Sequence, residues 1–222
     1  MTLEEYQALY ANQEDAAPGW RAIDTQFERL YNNQTPFHWA PMLHAILGGG
    51  PIDGLSAYRA TQPYPHFHCV SYGFSSLYYD EESVKSATQC SGMGFELTFR
   101  LADHGQTEEE LRWVMDLVQN IGHYVFEQNR WFEPYHFLGT DGPICQDEKT
   151  ALTGLAFIRD PEIGTIDTPH GQVEFLQMVG LTQSELDDLY GKRKRCQDVI
   201  ATLQRDNPLL ITDLKRREYS AK

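Results

Sequence analysis

His66 and His68 stand two residues apart in the stretch HFHCVSYGF. On a β-strand both imidazoles would point to one side, as a metal-binding pair requires. With nearby carboxylates they would line a pocket at a sheet edge and make the chain a metal- or small-molecule-dependent enzyme. Such a site also needs a third ligand and groups that orient the first two, and the remaining histidines, at 38, 44, 104, 123, 136 and 170, show no ligand spacing among themselves. Cys69 adjoins His68, yet strand neighbours face opposite sides, so the two cannot serve each other as nucleophile and base. G-x-S-x-G, H-E-x-x-H, C-x-x-C and a strand-borne G-x-G-x-x-G are all missing. Gly48-Gly49-Gly50 lacks the Lys-Ser/Thr of a phosphate loop, and Gly92-Met93-Gly94 reads as a tight entry into the next strand. Ordinary strand histidines, with no catalytic residue, no metal and no cofactor, are therefore the expectation.

Charge points to a partner rather than to a reaction. Eighteen basic and 32 acidic residues give a formal charge of -14, which repels nucleic acid and anionic membrane surfaces and complements a basic protein. The one basic block, Lys192-Arg193-Lys194-Arg195, has Asp187, Asp188 and Asp198 beside it as local partners. Four scattered cysteines in a chain large enough to need no staples read as reduced thiols. The acidic N-terminus has no signal-peptide pattern and no apolar run approaches membrane-spanning length, so the cytoplasm is expected.

The elements that must carry any site follow from periodicity. Residues 1–18 read as an acidic, dispensable lead-in ended by Pro18-Gly19, and residues 19–222 as one domain, its core drawn from a composition 41% hydrophobic and 12% aromatic. Trp20, Ile23, Phe27, Leu30 and Tyr31 have the spacing of an amphipathic helix, and residues 38–47 form a second helical candidate, with a loop after the glycine run. Residues 66–74 read as a strand. Residues 94–101 alternate Phe95, Leu97, Phe99 and Leu101 with Glu96, Thr98 and Arg100, which predicts a half-buried strand. Thr107 and Glu110 form a capping box ahead of a helix whose buried face is Leu111, Val114, Leu117, Val118, Ile121 and Val125; Thr182 and Glu185 repeat the device, for a helix reaching Leu203 with a possible break at Gly191. Short strands are expected at 155–159, 173–179 and 208–214. The order predicts an α+β domain, one mixed β-sheet flanked by helices.

Three segments, GMGFELTFRL at 92–101, TPHGQVEFLQMVGLTQSEL at 168–186 and LLITDLKRRE at 209–218, resemble signature stretches of the suppressor of fused N-terminal domain. Weaker echoes at 19–31, 47–58, 68–78 and 121–132 keep the family's order. The resemblance implies a suppressor-of-fused-like domain that binds another protein. The animal members hold Gli transcription factors through a short peptide clamped between two domains, of which this chain resembles the first. Free-standing bacterial relatives are read as immunity proteins against polymorphic toxins, and an acidic chain suits a basic toxin domain as partner. Tyr124 matches a contact tyrosine of the family, and His136 stands where the family uses an aspartate. Further partner-binding candidates are Asp80, Glu81 and Glu82, the tip from Glu133 to Asp141, and the acids at 108–110. Peptide capture by strand addition at an open sheet edge is the alternative mode.

Overall fold

A computed structural model describes residues 1–13, 15–41, 50–85 and 89–217. The strands are β1 (Phe37–Trp39), β2 (Gly54–Ala60), β3 (His66–Tyr72), β4 (Cys90–Ala102), β5 (Phe137–Gly139), β6 (Leu152–Arg159), β7 (Thr165–Thr168) and β8 (Gly171–Thr182). They form one sheet in the order β1-β2-β3-β4-β8-β6-β5, with β7 paired to β8 off that path. Only β4 and β8 run parallel; the other pairs are antiparallel, so the sheet is mixed. The helices are α1 (Leu3–Tyr10), α2 (Pro18–Leu30), α3 (Glu81–Lys85), α4 (Trp113–Gln128), α5 (Gln183–Tyr190) and α6 (Cys196–Asp206).

Helix α4 covers one face. The Thr107 N–H donates to Glu110 Oε2 at 2.8 Å and starts a short 3-10 turn that leads into it, and Val114, Leu117, Val118, Ile121 and Val125 are buried against Phe67, Phe99, Met178 and Phe157. Gly122 lets the helix approach the chain closely, because a Cβ there would lie 2.8 Å from Pro51 Cγ. Asn129, with φ 47°, ends it in the left-handed conformation. On the opposite face α2 buries Ile23 and Phe27 against Tyr58, Val70 and Phe175, while α5 and α6 cover Ala156, Ile158, Val179 and Leu181.

Covering both faces overturns the half-buried reading of β4. Glu96, Thr98 and Arg100 are as buried as the apolar residues between them, and a polar seam separates the two apolar clusters of the second face. Pro18 opens α2 instead of stopping a chain, since its fixed φ suits a first helical turn. Part of the expected loop after the glycine run is β2. At 38–47, His38 and Trp39 belong to β1, and residues 42–47 lie outside the described residues. The stretch 208–214 is not a strand; it touches the sheet through one parallel bridge, Leu101 to Thr212. β4 starts at Cys90, and Gly92 and Gly94, both at positive φ, fall where its register against β8 shifts. The predicted long helix is divided into α5 and α6, and the basic block fills the gap: Arg193 and Lys194 pair with Asp188, and Arg195 with Asp198.

The N-terminal lead-in docks. Tyr6, fully buried, stacks on Tyr79, and its hydroxyl lies 2.7 Å from His170 Nε2 and accepts from the Asp80 N–H at 3.0 Å. His170 Nδ1 is 2.8 Å from the Ser76 carbonyl, which can only accept, so Nδ1 carries the proton and Nε2 accepts from Tyr6. Tyr6→Phe leaves the imidazole and the amide without this partner, at an expected cost of about 1–2 kcal/mol in urea unfolding. An unchanged midpoint would mean the helix is not held by this bond.

Candidate functional site

His66 and His68 do share a face, as their spacing implies, but that face is the buried seam. His68 Nε2 lies 3.0 Å from Asp160 Oδ2 and Nδ1 2.8 Å from the Tyr31 hydroxyl, so neither nitrogen is left for a ligand. Arg100 bonds both oxygens of Asp160, at 2.7 and 3.1 Å, and reaches Glu162 at 2.7 Å and the Gln177 carbonyl oxygen. Thr98 donates to Asp160 at 2.7 Å, and the Glu162 and Ile163 N–H groups bond its other oxygen. Burial, then the neighbouring guanidinium, holds the His68 pKa below its ordinary value. Burial alone would raise Asp160, but His68 and Arg100 hold it well below the usual carboxylate range. His66 Nδ1 is 2.8 Å from the Tyr64 carbonyl, while its buried Nε2 has no hydrogen-bond partner among the described residues. No group of three His, Cys, Asp or Glu suited to a metal occurs among the described residues. Burial also pushes the Cys69 thiol up to about 12, far from a reactive thiolate.

A different region gathers exposed aromatic side chains. The C-terminal half of α4, the segment after it, β5 and the end of α5 together expose Tyr124, Phe126, Trp131, Tyr135 and Tyr190, each more than 40% accessible. Two cavities flank Tyr124. One of about 630 Å³ is lined by Trp131, Phe132, Glu133, Tyr135 and His136; the other, about 640 Å³, lies between α4, residues 138–147 and Tyr190. Strand β5 borders both and is a sheet edge. The His136 carbonyl accepts from Phe157 N–H and the Thr140 N–H donates to Thr153, so the backbone groups of Phe137 and Gly139 between them face away from β6. The Gly139 N–H is taken by the Tyr190 hydroxyl at 3.0 Å.

The structure thus brings Tyr124, Glu133, His136 and Asp141 to one face. His136 Nδ1 accepts from the Glu133 backbone at 3.2 Å, which fixes the tip. Asp80, Glu81 and Glu82 line neither cavity: Asp80 accepts from Glu82 N–H and Ser83 at the start of α3, and Lys85 pairs with both glutamates. Glu110 is spent in its capping box. Trp131, Tyr135, inside the 133–141 tip but not named there, and Tyr190 are additions to the candidates read from the sequence. The aromatic density of NRWFEPYHF, in a turn-rich stretch where burial is scarce, was the available signal for the first two; nothing local marks Tyr190.

Comparison with known proteins gives a consistent result. Residues 48–217 match the family described as Suppressor of fused protein (SUFU). The human Suppressor of fused homolog is 32% identical over an alignment 214 residues long that covers 90% of this chain and 43% of that protein. The chain therefore spans less than half the length of the curated relatives it matches. A chain from a Sufu–Fu complex crystal structure superposes with a TM-score of 0.81 at 31% identity, covering 91% of this chain and 92% of that one. Drosophila Suppressor of Fused superposes at 0.79 with 30% identity, covering 92% of this chain and 52% of the other. No helix among the described residues is long and apolar enough to cross a membrane.

Proposed function

The chain belongs to the suppressor of fused family, and from that premise we propose that it is a non-catalytic binding module that sequesters or neutralises a partner protein on the face around Tyr124 and β5. The observation that carries this reading is the ring of exposed aromatic side chains about an edge strand whose Phe137 backbone groups point outward. Aromatic residues lose little rotamer entropy on binding and dominate interface energies, and an open edge offers main-chain bonds to an extended segment. A relative crystallised as a Sufu–Fu complex supports a protein as the ligand. The formal charge of -14 favours a basic partner, and a basic toxin domain neutralised in the cytoplasm is the finer form of the proposal.

Affinity purification of the tagged chain from its host is expected to yield one stoichiometric partner. Tyr124→Ala, at an exposed position, is expected to weaken that complex about tenfold or more, or ~1.4 kcal/mol. The association rate should fall steeply with added salt. A complex of unchanged affinity in a Tyr124→Ala/Trp131→Ala variant would remove this face from the proposal.

A further inference from the structure

We infer that the cavity of about 640 Å³ between α4, residues 138–147 and Tyr190 receives a basic side chain, lysine or arginine, of a bound polypeptide. This rests on the reading of the face as a protein-binding surface and adds what that surface selects. The floor is apolar, with Leu117 and Ile144 buried beneath it, so an aliphatic stem would lie on hydrocarbon. Trp113, Tyr124 and Tyr190 supply aromatic faces, which attract a cation through the ring quadrupole. Every charged residue on the lining is a carboxylate: Asp116, Asp141 and Asp147, with no lysine, arginine or histidine among them. Asp188 pairs with Arg193 and Lys194, and Asp103 with Arg59, whereas no ion pair holds these three among the described residues.

Two features select the form of the cation. The three carboxylates do not form a group able to ligate a metal, so the charge they complement is one with reach and several N–H donors. The cavity also borders β5, and an extended segment laid along that strand would project alternate side chains towards it. Tyr190, 60% exposed, holds the Gly139 N–H and forms part of the same wall, so its signals should report on a segment arriving there.

The test is an NMR titration of the intact chain with acetyl-Ala-Arg-Ala-amide, and with the same peptide carrying uncharged citrulline for arginine. The arginine peptide is expected to shift the Trp113 indole and Gly139 amide signals and to bind at least tenfold more tightly than the citrulline peptide. Asp116→Asn/Asp141→Asn/Asp147→Asn, three changes at exposed positions, is expected to abolish that preference while leaving the rest of the spectrum intact. Equal binding of the two peptides, no shift with either, or a preference that survives the triple change would overturn the inference. If the unsubstituted chain shows no preference for the arginine peptide while Tyr124→Ala still weakens the natural complex, the protein-binding reading stands and only the basic-side-chain assignment falls.

Discussion

Replacing Arg100 by methionine is expected to destabilise the protein by roughly 3–5 kcal/mol, the cost of stripping a buried charge of its partner. Arg100 and Asp160 are both fully enclosed, and the guanidinium bonds both carboxylate oxygens. Without it, Asp160 keeps Thr98, His68 and two backbone N–H groups but loses its compensating charge. Gln177 loses the donor to its carbonyl oxygen, although its amide still holds the Leu209 and Leu210 carbonyls. Methionine fills the space of the side chain, so the loss measures charge more than cavity. Adding Asp160→Asn to Arg100→Met removes the stranded charge and should recover part of the loss, since the amide oxygen can still accept from the loop N–H groups. Urea unfolding of the single and double variants makes the test. A single-variant cost below about 1 kcal/mol, or a double variant less stable than Arg100→Met by the full cost of Asp160→Asn alone, would show that the seam is not held by this pair.

The same seam shows where sequence reasoning stops. The alternation in 94–101 correctly gave a strand, because period two is a property of the backbone. Assigning its polar side to water failed: what keeps Arg100 buried is Asp160, sixty positions away, and no local pattern records that. Capping boxes at Thr107 and Thr182 were legible because their donors and acceptors lie within one turn. Strand β2, Gly54–Ala60, was missed because Gly48-Gly49-Gly50-Pro51 dominates its surroundings, and β5 because three residues are too few for a period. At the candidate site, Tyr124, Glu133, His136 and Asp141 follow from family resemblance and an exposed tip; Glu133 and His136 line one cavity, Asp141 the other, and Tyr124 both. Tyr190 joins them through the packing of α5 beside β5, and Asp80 to Glu82 stand apart because acidity alone does not distinguish a helix start from a docking surface.

Glu96 gives the chain a pH dependence of known sign. Its carboxyl is wholly buried, and burial pushes its pKa up to about 7 against hydrogen bonds from Ser71, Ser75 and the Gly73 N–H that pull the other way. The ordinary value, 4.5, applies once the chain unfolds. The folded form thus binds the proton more tightly, so the contribution is fully present below the unfolded pKa, declines between about 4.5 and 7, and is lost above the folded pKa, a total of roughly 3 kcal/mol. The buried His66 and His68, with pKa values lowered by burial, act in the opposite sense, their contribution falling as pH drops below about 6.5. Comparison with Glu96→Gln cancels them. The glutamine oxygen can accept from the Gly73 and Ser75 N–H groups and its amide can donate to Ser71, whose hydroxyl oxygen already accepts from the Leu97 N–H. Wild type measured against Glu96→Gln from pH 5 to 8.5 should lose stability steadily as pH rises to about 7 and then level. A difference that does not change with pH would mean that the carboxylate stays ionised, its four donors outweighing the cost of burial.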